Sequence, residues 1–218
     1  LDKIITYDKE IIDFELMIKD LDKINKQIEK IEKIAKTGNK DKIKELNILN
    51  ICKDNLENNR SIRTLNLTSD EKKYLSLFNL ITIKPIIYVA NIDEVLISKD
   101  NDNIRKLKNC VNKEGFDLIK ISALLEEQIC QLDKSDQILF LKEYNLKESG
   151  LNQLIYSSYK TLGLLTFFTA GSKEVKAWTI KKGSKAPMGA GKIHSDFKKG
   201  FIKAEVIKYD EYIKFKSE

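Results

Sequence analysis

No apolar run in these 218 residues approaches the roughly 18 that a membrane-crossing helix requires. The longest, Pro85–Ala90 and Gly163–Ala170, have the length of strands. The start is charged and lacks a continuous apolar stretch, which argues against a secretory leader. Histidine occurs once, at His194, and cysteine three times, at Cys52, Cys110 and Cys130. An odd number of widely spaced cysteines, with no Cys-x-x-Cys pair, speaks against a disulfide framework and a thiolate metal site. Buried free thiols in a reducing, cytoplasmic setting are the expectation. The chain opens on Leu1, so a fragment of a longer protein is expected. What is present, 42% apolar residues, suffices for one large domain or a few small ones.

The net charge of +6 is unevenly spread. Residues 1–163 carry 27 Lys+Arg against 27 Asp+Glu, whereas residues 164–218 carry 12 lysines against 6 acids. A local cationic excess suits an anionic partner such as RNA, although a solvated lysine-rich surface explains it equally well. Lys173, Lys176, Lys181, Lys182, Lys185, Lys198 and Lys199 are the candidate RNA contacts. Phe167, Phe168, Trp178 and Phe201 lie among them, available for base stacking or for the core of a small module.

Three segments follow one another. In the first, residues 1–82, Phe14, Ile18, Leu21, Ile24, Ile28, Ile31 and Ile34 recur at helical spacing. Gly38 suits the left-handed end of that helix, and Asn39 or Asp41 can cap a second one bearing Ile43, Leu46, Leu49 and Leu56. So short a turn predicts an antiparallel hairpin over 10–60, either a two-helix coiled coil or two helices of a bundle. Thr68-Ser69-Asp70-Glu71 has the composition of another helix start.

In the second segment, 83–163, Lys84–Ala90 reads as a strand covered on both faces. A helix over Asn103–Lys113, a stop at Gly115, a second strand over Phe116–Ile121 and helices near Lys134–Tyr144 and Gly150–Leu162 follow. Strand and helix in alternation predict a parallel α/β sheet, of which only two strands are visible. The third segment, 164–218, reads as strands at Leu164–Thr169, Val175–Ile180 and Phe201–Ile207, with a short helix around Lys192–Lys199.

In open parallel sheets ligands bind beyond the carboxyl ends of the strands. Asn91 stands just past one such end and Ser122-Ala123 just past the next. An Asn amide offers a donor and an acceptor to a purine edge, and a carboxylate three residues on, Glu94, can accept from ring or exocyclic N–H groups. The backbone N–H groups of a Ser-Ala turn can close the pocket. The alternative is that Asn91 and the acids after it merely cap a turn.

The blocks "KPIIYVANIDE", "LIKISALLEEQICQLD", "FLKEYNLKESGLNQLIYSSYKTLGLLTFFTAGSKEVKAWTIKKGSKAP" and "AGKIHSDFKKGFIKAEVI" resemble the YchF or Obg-like ATPase family over nearly the whole chain. The resemblance implies a multi-domain α/β protein: the C-terminal half of a GTPase-like parallel domain, an antiparallel coiled-coil arm inserted into it, and part of a β-grasp (TGS) domain. It implies that Asn91, Ile92 and Glu94 are an altered form of the GTPase Asn-Lys-x-Asp motif, associated with ATP more than with GTP. Ser122, Ala123 and Leu124 correspond to the second base-contacting loop, Leu124 standing where lysine is common. Ribosome or RNA binding, a cytoplasmic monomer and an ATP–Mg2+ cofactor in the full-length protein are further implications.

Gly-x-x-x-x-Gly-Lys-Ser/Thr occurs nowhere in these residues. Gly189-Ala190-Gly191-Lys192 imitates it but lacks the preceding strand and the following Ser/Thr. His194 falls in "KIHSDF", where a capped structural role is expected rather than a catalytic base. No catalytic residue and no metal ligand are therefore assigned. The chain is expected to hold the walls of a base pocket, and hydrolysis by these residues alone is not expected.

Overall fold

The computed structural model describes residues 4–171 and 174–215, with side chains from Tyr7 onward. Its contacts divide the chain into two compact units, Leu1–Leu154 and Ile155–Glu218.

In the first unit, α1 (Ile4–Ala35) and α2 (Lys40–Glu57) pack as a hairpin around Gly38, whose φ of +84° suits a residue without Cβ. Asn39 caps α2, its Oδ1 accepting from the Asp41 and Lys42 N–H groups at 3.1 Å each. The buried seam of α1 differs from the predicted stripe. Met17, Ile24, Ile31 and Ala35 are buried, with Leu21 and Ile28 packed beside them, whereas Phe14, Ile18, Ile34 and, on α2, Ile43 are exposed. The positions 17, 21, 24, 28, 31 and 35 alternate steps of four and three, which keeps them on one line along the partner helix. The predicted string takes repeated steps of three and drifts around the cylinder.

Leu49, Cys52 and Leu56 of α2 complete that core, and Ile62, Leu75 and Leu80 extend it into the returning chain. There α3 (Ser69–Leu75) opens on a capping box, Thr68 Oγ1 accepting from the Glu71 N–H while Glu71 accepts from the Thr68 N–H at 2.7 Å. Asp20, fully buried on α1, accepts from the Ile81 N–H (2.9 Å), the Thr82 N–H (2.6 Å) and the Thr82 hydroxyl (2.8 Å). One carboxylate thus fixes where the chain leaves the helical hairpin.

Next come β1 (Tyr88–Asn91), α4 (Asp102–Lys113), β2 (Leu118–Ile121), α5 (Ala123–Gln131), α6 (Lys134–Glu143) and α7 (Gly150–Thr161). β1 and β2 pair in parallel, Tyr88 opposite Leu118 and Asn91 opposite Ile121. The strand is shorter than predicted, since Lys84–Ile87 stay outside the ladder. It is also not covered on both faces, because Val89 is 44% exposed. Among the described residues β1 has β2 alone as a neighbour, so the ladder starts only where β2 can meet it. α5 is a helix that sequence reading passed over.

At the foot of β1, Tyr88 Oη lies 3.2 Å from Asp13 of α1 and 3.1 Å from Glu114, the cap residue of α4. Lys9 Nζ bridges the same two carboxylates at 2.8 and 2.6 Å and lies over the Tyr88 ring. Burial alone would lower the Lys9 pKa, but the two carboxylates and Tyr88 overcome it and the net shift is upward.

In the second unit, β3 (Leu164–Ala170) and β4 (Val175–Lys181) form an antiparallel hairpin, followed by α8 (Ala186–Ile193), α9 (Ser195–Lys199) and α10 (Tyr209–Phe215). Instead of one helix near 192–199 there are two, separated by extended His194 (φ −156°, ψ 143°). Phe201–Ile207, predicted as a strand, is not one: no described edge pairs with it, and Ile202 and Val206 are 92% and 86% exposed. A strand pattern without a neighbouring edge leaves its backbone groups to water.

Candidate functional site

The carboxyl ends of β1 and β2 lie side by side because the two strands are parallel and in register. Asn91 is the last residue of β1 and is exposed. Its Oδ1 accepts from the Ala123 N–H at 3.2 Å, and one residue on, the Ile92 N–H donates to Ile121 O at 2.8 Å. The Asn91 side chain therefore bonds across the sheet to the next strand's loop.

That bond lies outside the asparagine's own turn. The turn after β1, Glu94–Leu96, takes Asp93 as its cap residue and has no side-chain cap bond. Asn91 caps nothing in its own loop. Instead it satisfies the first orphan N–H of α5, whose own cap residue, Ser122, is buried and makes no side-chain cap bond. With Oδ1 engaged, the Asn91 amide group has two N–H donors free among the described residues, the polarity needed to address a ring nitrogen acceptor.

Asn91, Ile92, Ser122 and Ala123 are thus brought together by hydrogen bonds or register. Glu94 opens the following 3-10 turn, half-buried; its carbonyl accepts from the Ile97 N–H at 3.1 Å, and its carboxylate has no hydrogen-bond or ion-pair partner among the described residues. Leu124 is 53% exposed in the first turn of α5, an apolar side chain offered to solvent beside the Asn91 contact.

Sequence reading missed the residues that hold this corner. Glu126 on α5 accepts from the Gly150 N–H (2.7 Å) and the Leu151 N–H (3.2 Å), seating the start of α7 against it. Gly150 is there because a Cβ would meet Ile121 Cγ1 at 2.9 Å and Lys120 O at 3.2 Å. Lys120 of β2 pairs with Asp100 at 2.6 Å, and that hydrogen bond holds the Asp100 carboxyl below its ordinary range. The available signal was a glycine opening a helical stretch, which only a close approach justifies.

In the second unit, Lys176 lies over the Trp178 ring, 4.5 Å from its centroid, and the Trp178 indole donates to Thr169 Oγ1 at 3.0 Å. Lys181 ends β4, the Lys182 N–H donates to Gly163 O, and Lys185 is the cap residue of α8. Lys198 packs its stem over Gly191, and Lys199 ends α9. Lys173 lies outside the described residues. His194 Nδ1 accepts from the Asp196 N–H at 3.3 Å, a helix cap. Among the described residues no three His, Cys, Asp or Glu side chains converge as for a metal ion.

A family model, YchF-GTPase_C, described as "Protein of unknown function (DUF933)", matches residues 164–218. Over 208 residues the chain is 41% identical to the ribosome-binding ATPase YchF of Bacillus subtilis (strain 168), covering 94% of this chain and 57% of that protein. The ribosome-binding ATPase YchF of Escherichia coli O157:H7 is 41% identical over 211 residues, covering 97% of this chain and 58% of that protein. The chain belongs to the YchF family. Its fold agrees: the solved structure of the Schizosaccharomyces pombe YchF GTPase superposes with a TM-score of 0.87 at 33% identity, over 97% of this chain and 58% of that one. The chain thus spans a little over half the length of these YchF relatives. Among the described residues no helix is long and apolar enough to cross a membrane.

Proposed function

We propose that this chain carries the base-reading wall of a ribosome-associated, ATP-hydrolysing YchF switch protein. In this reading 1–82 is a helical, coiled-coil arm, 83–163 the C-terminal half of a GTPase-like domain, and 164–218 a TGS module. The observation that carries the reading is the Asn91 Oδ1 contact to the Ala123 N–H, which joins the two loops that a purine slot needs. Asn91 addresses the base, the stem of Ile92 covers it, Glu94 accepts from its N–H groups, and Ser122-Ala123-Leu124 close the far side. Glu94 in place of aspartate moves the carboxylate by one methylene, which spoils paired acceptance from guanine and favours adenine. Phosphate and Mg2+ binding belong to sequence outside these residues, so hydrolysis is a property of the full-length protein, a cytoplasmic monomer.

Names among the relatives divide over the nucleotide, ATPase in the bacteria and GTPase in the yeast, so base preference is the point to test. In the full-length protein, Ile92→Lys with Glu94→Asp is expected to shift the ATP-to-GTP affinity ratio toward guanine by about tenfold. Nucleotide titration by calorimetry measures it. An unchanged ratio removes Glu94 from the site.

RNA binding by the second unit is a compatible reading, supported by its 12 lysines against 6 acids and by the Lys176–Trp178 pair. Affinity for ribosomal RNA should then fall steeply with added salt, by about tenfold or more between 50 and 200 mM. Salt-insensitive association would assign the ribosome contact to protein.

A further inference from the structure

The helical hairpin carries a groove that neither the base site nor the lysine-rich unit accounts for. It is an open cleft of about 480 Å³ between α2 and α3, within the span of anchor and ligand pockets of about 300–1,000 Å³. Its apolar floor is Ile48, Ile51 and Tyr74. Ile51 is 50% exposed there, although α2 buries its opposite face completely at Leu49 and Cys52. The Tyr74 phenol oxygen is shielded from solvent and faces Glu45.

The rim is acidic. Asp41 and Glu45 stand on α2, Asp70 and Glu71 on α3. Glu45 is paired with Lys42 at 2.8 Å, and Glu71 is held by Thr68. Asp41 and Asp70 have no carboxylate partner among the described residues, and Lys44 is the one cation lining the cleft. An apolar floor between carboxylates repels a phosphate backbone and suits a cationic amphipathic surface.

We infer that this groove docks a lysine- or arginine-rich amphipathic helix of a protein partner. The helix seats its apolar side chains on Ile48, Ile51 and Tyr74 and places its cations against Asp41 and Asp70. The arm is then a protein-binding element, with RNA left to other surfaces. This inference is independent of the nucleotide reading and stands or falls without it.

The test uses the whole 218-residue chain. The probe is a fluorescent, photo-crosslinkable peptide of about 18 residues, with leucine and lysine at helical spacing. A version with glutamate for lysine and an oligouridine of about 20 nucleotides serve as comparisons. Cross-links are expected within 41–51 and 70–74, with no displacement by the RNA. Ile51→Lys, at an exposed helix position, should leave the melting curve unchanged and weaken the lysine peptide by roughly tenfold or more. The inference is overturned if the cross-links fall elsewhere or the glutamate peptide binds as tightly. RNA that displaces the probe, or Ile51→Lys without effect, overturns it equally.

Discussion

Asp20 shows how much one side chain can settle. It lies between Ile18 and Leu21, off the predicted apolar stripe, yet it is fully buried and accepts three hydrogen bonds from Ile81 and Thr82. It does for that chain segment what a cap does for a helix end. Replacing it with alanine leaves two backbone N–H groups and a hydroxyl unmatched in the core. Asp20→Ala is expected to cost about 3 kcal/mol, read as a lower urea midpoint with unchanged slope. Asn91 acts through the same physics with the opposite exposure. Its Oδ1 is committed to Ala123, so the side chain is held in place by the fold itself.

At the scale of elements, β1 ties the helical hairpin to the proposed base-reading corner. Tyr88 at its foot contacts α1 and the end of α4, while Asn91 at its head contacts α5. Lys9 is the cation on which the lower junction depends, since without it Asp13 and Glu114 face each other across the Tyr88 hydroxyl. Lys9→Met is therefore expected to destabilise the chain by about 2 kcal/mol, less than a fully buried pair would lose because Glu114 is partly solvated. Tyr88→Phe, which removes one hydroxyl and leaves the ring, should cost about 1 kcal/mol. Thermal melts of the two variants and their double give the coupling between them.

For the whole molecule, the shifted groups point to an alkaline limit. Burial, with the Glu71 charge nearby, pushes the Cys52 thiol from 9.0 up to about 11. Burial and Asp13 raise the Tyr88 phenol, burial and Glu45 raise the Tyr74 phenol, and Lys9 is raised by its carboxylates. Each of these groups holds its proton more tightly folded than unfolded. The stability they contribute is complete below the ordinary values of 9.0 to 10.5 and is lost as pH rises through the folded ones. Melting temperature should therefore hold through neutrality and fall from pH 9.0, steepening from 10.0 to 10.5, where the phenols and then the lysine join the thiol. Calorimetric scans in a pH series measure it, and Cys52→Ala should remove the earliest part of the decline.

The amino-acid sequence by itself determined the local stops and starts. Gly38 takes the left-handed turn expected of it, Gly115 follows the end of α4 as the expected stop, Asn39 and the Thr68–Glu71 box cap their helices, and His194 caps α9. The capping contacts join residues two or three apart, so neighbouring letters suffice to specify them. The family was equally legible, because long blocks between 139 and 207 carry it. Tertiary structure alone decided which stripe of α1 is buried, where β1 begins, and that Phe201–Ile207 stays unpaired. It also decided that Asn91 reaches across to Ala123 instead of capping its own turn. Each of these depends on a partner distant in sequence, and a hydrophobic or extended pattern states only that a partner is needed, never which face or edge will meet it.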